Sequence, residues 1–371
     1  MRIFFSTGEA SGDMYGSQLL REIRKKRPDL PIQIDAIGGK QLAATGAHLI
    51  ANSSKWGAIG IFESLKMVPR IMGSYLKARR TLKIGEPGLF IPIDFGFMNI
   101  RLARLARQLD WKVLYFMPPG SWRRTTQGES LPEITDEIVT PFSWSAGILN
   151  GIGGHSHWYG HPAKQIIFEL FEEPVIQDPN RIAVLPGSRK SEVRLNLATI
   201  AKAAKAFPAG ATIEIALASN VSREEATQIW QRHYKGVIQT IFTGRDTIGV
   251  LRRARGAVVC SGTATLEAAL CNCPMVVIYK VSRMAELEAK IIRFKPGYIS
   301  LPNIILNRKV VPELIQKEAK PSIIADHIIS IAADGPERDS QLHAFVEISN
   351  ALGGTDAITR TASLALGMLL G

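Results

Sequence analysis

Short apolar runs alternate with longer amphipathic segments from one end of the chain to the other. RIFFST (2–7) precedes a helical pattern over Gly16 to Lys26, IQIDAIGG (32–39) another helix-like segment, and GLFIPID (88–94) a helix over Asn99 to Gln108; KVLYFM (112–117) follows. Apolar runs of that length, alternating with segments of 3.6-residue period, predict parallel sheets with helices on both faces. Residues 118–154 read as loop-rich, after which the alternation restarts with RIAVLP (181–186), TIEIALA (212–218), GVIQTIF (236–242), GAVVC (256–260) and PMVVIYK (274–280). The pattern predicts two α/β domains of the doubly wound, Rossmann-like kind. No long identity joins the halves, so they share an architecture without a recent duplication.

The expected boundaries are residues 1–168 for the first domain, 169–350 for the second, and 351–371 for a helical tail that packs back on the first. EEPVIQDPN (172–180), rich in proline and charge, marks the linker. Two such domains facing each other leave a cleft, with ligands at the carboxyl ends of the strands.

The length of 371 residues suits two domains better than one core. With 46% hydrophobic and 21% charged residues, neither half has the composition of a disordered tract. Three cysteines, two of them in Cys271-Asn272-Cys273, supply neither a disulfide framework nor zinc spacing. They read as reduced packing residues. The first residues run directly into a strand pattern and no apolar stretch reaches the roughly 18 residues of a spanning helix. A cytoplasmic protein, not integral to a membrane, is the expectation.

The formal charge of +12 asks for an acidic partner. Between Lys55 and Lys83 seven Lys/Arg stand against the single Glu63, interleaved with Trp56, Ile59, Met67, Val68, Ile71, Met72, Tyr75 and Leu76. That composition suits an amphipathic element lying on an anionic bilayer, or a helix pair with a solvated basic face. Nucleic acid is not expected, because no helix-turn-helix, RNP or zinc-finger pattern occurs.

Three strand-to-helix junctions carry candidate chemistry. RIAVLPGSRKSEV (181–193) places Gly187, Ser188 and Arg189 where a helix start offers free N–H groups to an anion and arginine adds a two-pronged donor. The plain alternative is a turn capped by serine. VVCSGTATLEAAL (258–270) repeats the arrangement with Ser261, Gly262 and Thr263, and Glu267 one turn on is placed to accept from ribose hydroxyls. Two anion sites in one domain describe a nucleotide-diphosphate pocket. STGEASGDMYGSQLL (6–20), with Glu9, Ser11, Gly12 and Asp13, is neither a dinucleotide fingerprint nor a P-loop, and offers an acceptor-side phosphate or sugar contact. Asp94 ends a strand that should be buried, where a carboxylate serves either as a general base or as a helix cap. His155, His157 and His161 lack a supporting carboxylate pattern, so no metal is expected.

GEASGD, IPIDFGFMN, YFMPPGSWRR, WYGHP, LPGSRKSEV, CSGTATLEAAL, CPMVVIYKV and YISLPNIILNRKVVPELIQ, in that order, resemble the lipid-A-disaccharide synthase family from about Phe5 to Gln316. The resemblance implies a GT-B glycosyltransferase that joins UDP-2,3-diacylglucosamine to 2,3-diacylglucosamine 1-phosphate through an inverted β-1,6 linkage, releases UDP, and needs no cofactor or essential metal. It implies donor binding by Gly187, Ser188, Arg189, Ser261, Gly262, Thr263, Glu267, Asn303 and Glu313, and Asp94 as base. Glu9, Ser11, Gly12, Asp13, Asn99, Trp122 and His161 fall on its acceptor side. With the basic stretch at 55–83, peripheral attachment to the inner face of the cytoplasmic membrane is a further expectation, and a homodimer an open one.

Three departures lie on that acceptor side. Ile93-Asp94-Phe95-Gly96-Phe97-Met98-Asn99 lacks the family's second acidic residue, Ser121-Trp122-Arg123-Arg124 shortens the usual Trp-Ala-Trp-Arg, and Lys164-Gln165 replaces the aspartate after Gly-His-Pro. They leave open a related transferase with another lipid acceptor, a UDP-N-acetylglucosamine epimerase, and a UDP-sugar binder without catalysis.

Overall fold

The computed structural model describes residues 1–54, 56, 61–169, 175–218, 221–244, 246–282, 286–287 and 297–371, leaving out the side chains of 61–66. Residues 55 and 57–60 of the basic stretch and 172–174 of the expected linker lie outside the described residues. The chain falls into two compact units, one holding Met1–Ala58, Glu63–Gln165 and Leu352–Gly371, the other built on Ile166–Ala351.

The first unit is a seven-stranded parallel sheet of β1 (Arg2–Thr7), β2 (Gln33–Gly38), β3 (His48–Asn52), β4 (Leu89–Ile93), β5 (Lys112–Phe116), β6 (Glu137–Val139) and β7 (Ser156–His157), in the order β3-β2-β1-β4-β5-β6-β7. The second is a six-stranded parallel sheet of β8 (Asp178–Leu185), β9 (Thr212–Leu217), β10 (Gln239–Gly244), β11 (Ala254–Cys260), β12 (Met275–Tyr279) and β13 (Glu313–Ile315), in the order β10-β9-β8-β11-β12-β13. Both follow the Rossmann order 3-2-1-4-5-6. Each therefore has one switch point where the order reverses, between β1 and β4 and between β8 and β11.

Strands covered by helices on both faces read as unbroken apolar runs. All five residues of β4 are buried, Phe90 among them, and Phe4, Trp111 and Tyr115 are enclosed in the same core. The second core gathers Ile182, Val184, Leu197, Ile213, Val258 and Trp230.

Two readings needed correction. The stretch taken as loop-rich holds the helices Leu131–Ile134 and Ser143–Gly151 and β6, with β7 just beyond it. A three-residue and a two-residue strand are too short for period 2 to show in sequence. The first helix runs from Ala10 to Lys26, not from Gly16, because its first turns carry serine and glycine instead of an apolar stripe. Gly12 and Gly16 are there for contact: a Cβ would stand 3.2 Å from Thr7 Cβ and 3.1 Å from Ile93 Cδ1 respectively.

The closing helix Ala357–Leu370 packs on the helix Ala10–Lys26. Gln165 Oε1 accepts from Ile358 N at 2.7 Å, Lys164 Nζ donates to Gly353 O at 2.7 Å, and His161 N donates to Leu352 O at 2.9 Å.

Candidate active site

At the first switch point β1 and β4 run side by side, Thr7 pairing with Ile93, and their following loops meet. Asp94 and Phe95 both take left-handed backbone conformations, φ 47° and 48°. Such conformations cost energy outside glycine and persist where surroundings over-determine them. Here Asn99, fully buried, donates through Nδ2 to Ser6 O, Ile93 O and Asp94 O at 3.0, 3.2 and 3.0 Å, and its Oδ1 accepts from Ser6 Oγ at 2.6 Å. Tyr115 Oη also donates to Asp94 O, at 2.9 Å, and Asp94 N to Met117 O at 3.1 Å. The fixed turn lays the Phe95 ring over Gly8, where a Cβ would lie 2.0 Å from Phe95 Cγ. Only glycine fits there.

Asp94 does not cap the following helix, Gly96–Gln108, whose N-cap is Phe95 without a side-chain bond. Its residue is exposed by area while protein crowds the carboxyl on most sides. That crowding, and then the nearby Glu9 carboxylate, raise its pKa to about 6 against the opposing pull of the Phe95 backbone N–H.

The other acceptor-side candidates divide. Glu9 is the N-cap residue of Ala10–Lys26, and Ser11 and Gly12 form its first turn. Asp13 is spent inside the unit, accepting from Gly39 N, Leu42 N and Gln41 N at 2.6, 3.2 and 3.0 Å at the start of the helix Lys40–Ala44. Asn99 is the clamp described above, with its side-chain bonds made inside the protein. His161 is buried, its Nδ1 accepts from Ala163 N at 3.1 Å, and burial lowers its pKa to about 3. It stays neutral and holds the start of the helix Pro162–Glu169. Trp122 is 40% exposed on the loop after β5.

At the second switch point β8 and β11 are hydrogen-bonded neighbours, Leu185 opposite Val259, and this brings the two glycine loops together. Gly187 has φ 115°, and a Cβ there would meet Glu192 Oε2 at 2.9 Å and Cys260 Sγ at 3.2 Å. Arg189, not Ser188, is the N-cap of the helix Lys190–Ala203. Its Nη1 donates to Glu192 Oε1 at 2.9 Å and its backbone N to Glu192 Oε2 at 3.3 Å. Ser188 is exposed. The buried Asn196 ties the strand ends together, donating to Pro186 O at 3.0 Å and Cys260 Sγ at 3.2 Å and accepting from Lys280 N at 3.1 Å.

Gly262 caps the helix Thr263–Leu270 at φ 147°, and a Cβ there would meet nothing within 4 Å. That helix has no side-chain cap, which leaves the N–H groups of Gly262, Thr263 and Ala264 pointing out of its start. Ser261 Oγ donates to Ile299 O at 2.7 Å. Glu267 is half-buried, and crowding by protein raises its pKa to about 7. Asn303 and Glu313 are bonded to each other and to neighbouring backbone. Glu313 Oε1 accepts from Ser300 N, Ser300 Oγ and Asn303 Nδ2 at 2.8, 2.6 and 2.9 Å, while Asn303 Oδ1 accepts from Val310 N and Val311 N at 2.6 and 2.9 Å. They order the segment whose Ile299 carbonyl meets Ser261. Sequence reading missed Glu192, Asn196 and Phe95. A glutamate three residues into a helix is a readable capping signal; the other two have none.

Two Rossmann units, one holding a crowded carboxylate and the other an open, glycine-lined helix start, make the GT-B type of glycosyltransferase fold. Solved structures with this fold include the "S. aureus MnaA-UDP co-structure" (TM-score 0.65, 12% identity, covering 100% of this chain and 98% of that one) and MurG of Acinetobacter baumannii (TM-score 0.59, 12% identity, covering 99% of each). The sequence profile described as Lipid-A-disaccharide synthetase matches residues 3–355. The lipid-A-disaccharide synthase of Myxococcus xanthus is 31% identical over 99% of this chain and 97% of its own length, and that of Neisseria gonorrhoeae 31% over 94% and 91%. The chain belongs to the lipid-A-disaccharide synthetase family.

Proposed function

We propose that the chain performs its family's reaction in the form expected from the motifs, joining UDP-2,3-diacylglucosamine to 2,3-diacylglucosamine 1-phosphate with inversion and release of UDP. The observation that carries this reading is the chemical split between two switch points of the same topology: a carboxylate of raised pKa in one, a glycine-opened helix start beside Arg189 in the other. The acceptor's 6-oxygen bonds to the donor's anomeric carbon as the bond from that carbon to the diphosphate breaks. Asp94 takes the hydroxyl proton; a base of pKa about 6 is still charged at pH 7 yet stronger than an ordinary aspartate. The charge on the departing diphosphate is met by the helix starts at Lys190 and Thr263 and by Arg189. Glu267 accepts from the ribose hydroxyls. Likeness to epimerases, such as one from Listeria monocytogenes at 10% identity, is a likeness of fold and gives no support to epimerisation.

Purified protein given the donor and acceptor together should release UDP and form disaccharide, and should leave UDP-sugar unchanged without acceptor. Conversion of UDP-sugar alone, or no product with both, overturns the reading.

The helix Ile61–Lys83 supports a place for this reaction. Val68, Met72 and Leu76 are 37%, 47% and 54% exposed at i, i+4 and i+8, beside the exposed Arg70, Lys77, Arg80 and Lys83. Among the described residues no helix is long and apolar enough to cross a membrane. An apolar stripe edged with cations suits the surface of an anionic bilayer, where diacylated substrates reside. Co-sedimentation with anionic liposomes at low salt, weakening as salt rises, is expected; equal binding to neutral liposomes, or none to either, counts against it.

A further inference from the structure

The turn that carries Asp94 also holds a residue ill suited to it. Phe95 stands at φ 48°, in the left-handed region, where a bulky side chain is disfavoured. The following helix does not call for phenylalanine, since Phe95 is its N-cap and makes no side-chain bond there. Beyond the hydrogen bonds on Asp94, what fixes Phe95 is its ring. One contact is Gly8, just past β1, where a Cβ would stand 2.0 Å from Phe95 Cγ and 2.1 Å from Cδ2. Gly8 does not take a left-handed conformation, so the ring and not the backbone excludes a side chain at that position. The other contact is Trp56, 3% exposed, whose ring centroid lies 5.5 Å from that of Phe95 with the planes at 38°. Trp56 N donates in turn to Ser53 O at 3.0 Å, just past β3. One ring therefore joins the segments that follow β1, β3 and β4.

That ring bears on the carboxyl through its neighbours. The Phe95 backbone N–H is the donor that meets the Asp94 carboxylate, and Gly8 directly precedes Glu9, whose carboxylate acts on Asp94 from the other loop. Among the described residues the ionisable groups that interact with Asp94 are Glu9 and Tyr115. Tyr115 Oη and Asn99 Nδ2 both meet the Asp94 backbone carbonyl and not its carboxyl. They fix where the turn is, while the seat of Phe95 sets what stands beside the carboxyl.

We propose that Phe95 is a positioning residue for the base: its ring, seated on Gly8 and against Trp56, fastens the loop after β4 to the loop after β1 and holds the Asp94 carboxyl at the crevice. The inference rests on the transferase reading above, in which Asp94 takes the acceptor's proton, and adds what keeps that carboxyl aligned. Phe95 need touch no substrate. Truncating the ring frees the loop after β1, letting Glu9 move off and water approach Asp94; both changes lower the pKa of the carboxyl. The base then becomes misaligned and weaker together.

The test is a pH profile of wild type, Phe95→Ala, Gly8→Ala and the double variant with donor and acceptor. Phe95→Ala should lower kcat by up to about 100-fold, the cost of a misplacement of about 1 Å. It should also move the acid limb of kcat/KM, which reports the free enzyme's base, from about 6 toward 3.8. UDP affinity, titrated by calorimetry, should not change. Gly8→Ala, which expels the ring, should reproduce both effects, and the double variant should be no worse than Phe95→Ala, because the new methyl group occupies space the ring has left. A fall in kcat with the limb still near 6, losses that add in the double variant, or unchanged kcat in Phe95→Ala would each overturn the role. Wild type that makes no disaccharide overturns the transferase reading, and near-normal turnover in Asp94→Asn overturns the base; either result removes the proposal with it. Should Phe95→Ala not fold, judged by its melting temperature and UDP titration, Phe95→Leu takes its place. A smaller shift of the limb in the same direction is then expected, and an unmoved limb again overturns the role.

Discussion

Each unit fastens the strand ends at its switch point with a fully buried asparagine, Asn99 in the first and Asn196 in the second, yet the loops those clamps support carry opposite chemistry. In the first, a carboxylate sits in a left-handed turn under the influence of a second carboxylate. In the second, glycines with φ of 115° and 147° open the backbone and an arginine stands at the helix start. The frame is the same because parallel sheets of one strand order leave the same crevice. What fills it is set by a few loop residues, which the frame tolerates because they lie beyond the hydrogen-bonded ladder.

The comparison is most exposed at Asp94. Asp94→Asn should lower kcat by about 10²- to 10⁴-fold, the usual cost of removing a positioned base, while calorimetric titration finds UDP affinity unchanged. In wild type kcat/KM should fall as pH drops below about 6, since the base is lost on protonation. Near-normal turnover in the variant would move the base elsewhere.

Arg189→Ala should weaken UDP by about 1.5–3 kcal/mol, the range for hydrogen bonds to charged groups, and leave turnover at saturating donor closer to normal. An unchanged dissociation constant would mean that Arg189 does not meet the nucleotide.

If the frames are equivalent, Asn99→Ala and Asn196→Ala should each cost about 1–3 kcal/mol of stability, because buried carbonyls lose their donors. Denaturant unfolding measures this, and a large cost at only one of the two sites would break the parallel.

The smallest effect is again at Asp94. Its folded pKa is raised from 3.8 to about 6, so its contribution to stability is present below about 3.8 and lost as pH rises through 6. Asparagine tolerates the left-handed turn as well and carries no charge. Asp94→Asn should therefore melt slightly higher than wild type at pH 7, the difference vanishing near pH 4. A lower melting temperature at pH 7 would show that the carboxylate stabilises the turn.

Much of this was written locally. The runs at 2–7, 88–94, 181–186 and 256–260 have unbroken apolar centres because both faces of a parallel strand are buried, and the Gly-Ser-Arg and Ser-Gly-Thr junctions follow two of them. The sequence by itself thus determined two Rossmann-like units, the glycine-bearing junctions of strand and helix, and the strand end that carries Asp94. It did not determine which polar side chains are left over for a ligand. Asp13, Asn99, His161, Asn303 and Glu313 sit in motifs that looked like binding residues, and the fold spends them on backbone groups that would otherwise be buried without partners. That choice belongs to tertiary structure, because a side chain's partners come from segments distant in the chain, such as Ser6 for Asn99 and Ile358 for Gln165, and buried polar atoms must be satisfied wherever the fold brings them. The raised pKa of Asp94 has the same origin: crowding and Glu9 reach it through the pairing of β1 with β4, which neither strand encodes alone.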